Sequence, residues 1–86
     1  LVYWQYIVIM ELKEVKVGDW YMKYDRETCR YGVDYLLDVL SWEECKPFFD
    51  QAYDKGYAEF EDRDKRNYTL YYERGGYLLT RRPSSY

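Results

Sequence analysis

The chain has 86 residues, 48% hydrophobic and 34% charged, with a net charge of −3, which is the composition of one small globular domain and excludes a disordered one. It contains no histidine and only two cysteines, so Ser-His and Cys-His catalytic pairs are excluded, and so is the usual four-ligand zinc site. Thirteen tyrosines raise the aromatic share to 22%; a tyrosine buries its ring while its hydroxyl stays wet, so such a chain can carry a half-exposed aromatic surface.

Residues 1–10, LVYWQYIVIM, are apolar or aromatic except for Gln5. No Lys or Arg precedes the run and no A-x-A follows it, so it does not read as a signal peptide. It is also far short of the roughly 20 residues that span a bilayer. Its Val, Ile, Tyr and Trp are strand formers, and the near-continuous apolar pattern asks for cover on both faces. The run is either an internal core strand or an edge that recruits a partner, and some of Val2, Trp4, Tyr6 and Val8, or their alternate neighbours, are expected to meet a second chain, either a copy of this one or a target. With no secretory signal in view, reduced thiols at Cys29 and Cys45 and a cytoplasmic protein are expected.

From Met10 the pattern turns polar, with Lys13, Glu14 and Lys16 exposed, and Gly18-Asp19 punctuates it. Trp20, Met22 and Tyr24 alternate with Tyr21, Lys23 and Asp25, a strand. Residues 25–28 read as a turn into a return strand near Cys29 to Tyr31, with Gly32 as a bend or bulge. Residues 33–40, VDYLLDVL, fit a strand or a helix by period alone. The strand is preferred because a strong helix start follows.

That start is Ser41-Trp42-Glu43-Glu44, a capping box in which the Ser hydroxyl and the Glu carboxylate each satisfy a backbone amide. Trp42, Cys45, Phe49, Ala52 and Tyr53 share one stripe, Pro47 should loosen the first turn, and Gly56 should end the helix. Residues 57–62 alternate as a strand. Two further alternating runs flank Gly75-Gly76, a hairpin signal. A tight turn there sets Tyr72 opposite Leu79 and Leu70 opposite Arg81. Tyr68, Leu70, Tyr72, Tyr77 and Leu79 then face the helix, and Thr69, Tyr71, Glu73, Leu78, Thr80 and Arg82 face away.

The expected fold is α+β: an antiparallel sheet of about five to six strands, in the order β-β-β-α-β-β-β, with one main helix packed on one face. Residues 1–82 form the domain and 83–86 a tail.

Little in this chain is equipped for catalysis, and no enzyme is expected. Ser41 is a cap, and Cys45 lies on the apolar stripe of the helix. Cys29 has Arg26 and Arg30 nearby, which would lower its pKa. Gly75-Gly76 is a turn with no helix behind it to hold a phosphate. No cofactor or metal is expected.

Charge is unevenly spread. Residues 1–40 carry −2, residues 41–64 carry −5, and residues 65–86 carry +4. The acidic block is Glu43, Glu44, Asp50, Asp54, Glu59, Glu61, Asp62 and Asp64, which could dock into the basic cleft of a nucleic-acid-handling enzyme in place of a phosphate run. In size and acidity the chain resembles small phage inhibitors such as anti-CRISPR proteins and other DNA mimics; the resemblance is one of class and carries over no residue. An aromatic and basic face of Tyr71, Arg74, Arg81 and Arg82 is a second candidate protein-binding surface. The expectation is a small acidic, Tyr-rich protein-binding module, an inhibitor from a phage or mobile element. The first alternative is single-stranded nucleic-acid binding by the hairpin 65–82, where Lys65, Arg66, Arg74, Arg81 and Arg82 interleave with tyrosines. A second alternative is an antitoxin-like or structural subunit.

Overall fold

The computed structural model describes residues 12–82. The proposed interface strand at Val2, Trp4, Tyr6 and Val8 and the tail 83–86 lie outside them. Among the described residues five strands form one sheet: β1 (Leu12–Val17), β2 (Trp20–Asp25), β3 (Tyr57–Glu61), β4 (Asn67–Glu73) and β5 (Gly76–Arg82). Helix α1 (Arg26–Asp34), a π-helical turn (Tyr35–Val39) and helix α2 (Trp42–Lys55) connect β2 to β3. The class is the α+β one expected, with element order β-β-α-α-β-β-β.

Two expectations are corrected. The return strand near residues 29–31 and the strand over 33–40 are α1 and the π turn. Asp25 caps this helix: its carboxylate accepts from the Glu27 amide at 3.4 Å and the Thr28 hydroxyl at 2.9 Å. Cys29, Gly32, Val33 and Leu36 then recur at helical spacing and are all buried. The π turn closes with the Leu40 amide donating to the Tyr35 carbonyl five residues back, at 3.0 Å. The sheet, moreover, is mixed. Its order is β1-β2-β5-β4-β3, and β2 runs parallel to β5 while every other pair is antiparallel.

Helix α2 follows its local code. The Ser41 hydroxyl accepts from the Glu44 amide, and the Glu44 carboxylate accepts from the Ser41 amide at 2.8 Å. Pro47 sits inside without ending it, near the N-terminus on an exposed side where the Glu43 carbonyl it leaves unpaired can meet water. Gly56 stops the helix at φ 93°. Cys45, Phe49 and Ala52 are buried, whereas Trp42 and Tyr53 at the two ends of the stripe remain 47% and 62% exposed.

The hairpin turn is Arg74-Gly75 rather than Gly75-Gly76. Both residues have positive φ, 53° and 80°, as a type I′ turn requires. The register therefore shifts by two: Tyr72 opposes Tyr77, and Leu70 opposes Leu79. A shift of two leaves the faces unchanged, and Tyr68, Leu70 and Leu79 are buried under the helices as expected.

Both helices cover the same face of the sheet. Phe49 stacks on Trp20 with ring centroids 4.6 Å apart and meets the edge of Tyr77 at 4.9 Å, and Phe60 stacks on Tyr68. Trp42 lies against Trp20 and over Gly18, where a Cβ would run into its ring. No helix among the described residues is long and apolar enough to cross a membrane.

Candidate functional site: the open face of the sheet

A strand shows alternate side chains to opposite faces. With both helices on one side, the register decides what the other side displays. Across the middle of that open face runs one row through all five strands: Glu14, Lys23, Leu78, Tyr71 and Tyr57, each paired with the next. Toward the hairpin tip Lys16 pairs with Tyr21 and Gly76 with Glu73, and continuing the β2–β5 register one residue past Met22–Tyr77 sets Tyr21 beside Gly76 in one row. Gly76 has no side chain, and a Cβ there would meet nothing within 4 Å. The row therefore has a gap between Tyr21 and Glu73. This gap is the floor of a groove of about 680 Å³, whose walls include Glu14, Tyr21, Lys23, Glu73, Arg74 and Leu78. Tyr21 is 59% exposed and Tyr57 48%, and Tyr71 and Leu78 are half-buried.

The far end of the face is pinned by charge. Arg82 on β5 reaches Glu59 on β3 at 3.8 Å, crossing over β4 between Asn67 and Thr69. Thr69 is buried beside this bridge, and its carbonyl accepts from the Thr80 hydroxyl at 3.4 Å. In sign the face is mixed, with Glu14, Glu59, Glu61 and Glu73 against Lys16, Lys23 and Arg82.

The eight acids do not form one surface. Glu43, Glu44, Asp50 and Asp54 lie on the outside of α2, whereas Glu59 and Glu61 point to the open face of the sheet. Several are engaged within the molecule. Glu44 completes the cap, Asp50 pairs with Lys46 at 2.7 Å, and Asp64 pairs with Arg66 at 3.0 Å. Asp62 is buried, and its carboxylate organises the β3–β4 loop. It accepts from the Asp64 and Arg66 amides at 2.9 and 3.0 Å, from the Arg66 guanidinium at 3.0 Å and from the Tyr68 hydroxyl at 3.1 Å. Burial pulls the Asp62 pKa upward, but these hydrogen bonds together outweigh it and hold the group below the ordinary aspartate value. The Tyr68 hydroxyl is pushed up to about 12, first by burial and then by the Asp62 charge beside it.

The aromatic and basic set also divides. Tyr71 and Arg82 are on the open face, Arg74 is in the turn, and Arg81 is on the helix side of β5, opposite Tyr68. Arg66 is held by Asp62 and Asp64 and lies over the Tyr31 ring, 4.1 Å from its centroid. Tyr68 is in the core, and Tyr72 and Tyr77 pack against it.

Cys29 is fully buried, and its thiol donates to the Leu79 carbonyl at 3.4 Å. Burial raises its pKa despite Arg26 and Arg30 nearby in sequence. Cys45, equally buried, donates to the Leu36 carbonyl at 3.2 Å, and neither cysteine is in a disulfide.

Tyr21, Lys23, Tyr57 and Gly76 were not among the site residues the sequence suggested. The signal for them was the two-residue alternation of β2 and β3, which assigns these side chains to the face opposite the helices once the helix side is known. Comparison of the chain with protein-family models, with curated proteins and with solved structures gives no match.

Proposed function

We propose that this chain is a protein-binding module, not an enzyme, and that its docking surface is the open face of the sheet around Leu78, Tyr71 and Tyr57. One observation carries the reading: three adjacent strands present an aromatic and apolar row that no described element covers. Tyrosines on a sheet provide large contact area at low entropic cost, and charges of both signs around them give a partner polar groups to pair with. The cytoplasm suits two unpaired thiols.

An inhibitor that mimics a phosphate run is one form such a module takes. The acids support it less than the row supports sheet docking, because they fall on two sides of the molecule and several are paired internally. Single-strand binding draws still less support. Tyr68, Tyr72 and Tyr77 belong to the core, and acids interrupt the open face.

The experiment is affinity capture from the native host with three baits: wild type, Tyr57→Ser/Tyr71→Ser, and Glu43→Gln/Asp54→Asn. A protein that is captured by wild type and by the acid variant, and lost with the tyrosine variant, supports the reading. Loss only with the acid variant, recovery that nuclease treatment abolishes, or no specific protein overturns it.

A further inference from the structure

Among the described residues β1 and β3 are the two edges of the sheet, and they differ in what they allow. The connection between β1 and β2 has two residues, with Gly18 first at φ 60°, so Val17 and Trp20 close the hairpin as a hydrogen-bonded pair. Pairs then alternate: Val15 and Lys13 spend their backbone groups on β2, while those of Glu14 and Lys16 point outward from the sheet. An antiparallel pairing of this edge with itself, about a two-fold axis normal to the sheet, must match residues of the same face. Centring it on Val15 sets Glu14 opposite Lys16 of the second copy, twice by symmetry, and uses the outward backbone groups of both. On the helix side Val15, half-buried, would meet its own counterpart. Centring one residue earlier opposes Glu14 to itself, and one later opposes Lys16 to itself.

On β3 no centre brings opposite charges of the strand together: a centre at Glu59 opposes that acid to itself, a centre at Phe60 opposes Glu59 to Glu61, and a centre at Ala58 opposes Glu59 to the uncharged Tyr57. That edge lacks the reciprocal ion pairs that β1 offers.

The geometry points to a reversible homodimer formed by antiparallel self-pairing of β1 about Val15, which joins two five-stranded sheets into one continuous sheet. The occupant is a second copy of this chain, chosen by the reciprocal Glu14–Lys16 pairs. The inference is independent of what binds the open face. Both copies keep that face on the same side, so a dimer presents two such surfaces together.

Sedimentation equilibrium of the full chain over a concentration series tests it. Wild type should dimerise, with the dimer fraction falling on dilution. Lys16→Glu leaves acid opposite acid in both rows and should weaken the dimer at least about tenfold. Adding Glu14→Lys to Lys16→Glu reverses both charges and should restore it. Thermal melts of each variant verify that the monomer fold persists. A monomer at every concentration, or a dimer indifferent to both variants, would overturn the proposal, as would failure of the charge swap to restore association in a folded protein.

Discussion

Gly32 of α1 lies flat against the ring of Tyr68 on β4, so close that a Cβ at residue 32 would stand 2.7 Å from Cε1 of that ring. The ring cannot retreat. It is fully buried, stacked on Phe60, and its hydroxyl is held by Asp62. Helix propensity favours alanine over glycine by about 1 kcal/mol, whereas overpacking a closed core costs about 1–3 kcal/mol. Gly32→Ala should therefore destabilise the fold in urea denaturation by up to about 2 kcal/mol. Equal or greater stability would show that α1 does not seat on β4 as described.

Asp62 should matter more than any other acid. The asparagine of Asp62→Asn keeps one oxygen for the Asp64 and Arg66 amides, but turns an NH2 donor toward the Arg66 guanidinium and the Tyr68 hydroxyl in place of the oxygen they donate to, so the substitution should cost about 1–3 kcal/mol at neutral pH. A carboxyl whose folded pKa is lowered contributes stability above its unfolded value, and that contribution is lost as pH falls through the folded pKa. The gap between wild type and variant in denaturant titrations should be constant above about pH 5 and shrink below about pH 4.

Tyr68 sets the alkaline limb. Its folded pKa, raised to about 12, makes its contribution full below pH 10 and lost as pH rises through 12. Burial also raises the Tyr77 pKa, so tyrosinate absorbance should show a late titration that loses one tyrosine's share, not all of it, in Tyr68→Phe, and that variant should lose about 1 kcal/mol at neutral pH with its hydroxyl bond to Asp62.

Both thiols should react only through opening of the structure. Cys29 and Cys45 are buried with raised pKa values, so labelling by a thiol reagent should be slow in the native protein and complete on unfolding. The logarithm of its rate should rise in Gly32→Ala in proportion to lost stability, about tenfold per 1.4 kcal/mol. Fast labelling of either cysteine in the native protein would contradict its burial.

How much of this was legible in the sequence depends on how local each signal is. Ser41, Glu44 and Gly56 act within one turn of α2, and the sequence reports such signals directly. The stripe of Cys29, Val33 and Leu36 carried a helical signal as well, but Asp25-Arg26-Glu27-Thr28 reads equally as a turn, and only the Asp25 cap resolves it. Arg74 in a left-handed conformation has no sequence signature, which is why the hairpin shifted by two residues. The parallel pairing of β2 with β5 joins residues more than fifty positions apart, and no local pattern announces it. The open face became visible only once both helices were placed on the other side.

A photo-crosslinking residue placed at Tyr71 in one variant and at Asp54 in another, irradiated in the native host, tests the docking surface most directly. The sheet reading predicts one discrete protein adduct from position 71 and none from position 54. An adduct from position 54 alone, an adduct with nucleic acid, or no adduct from position 71 would contradict it.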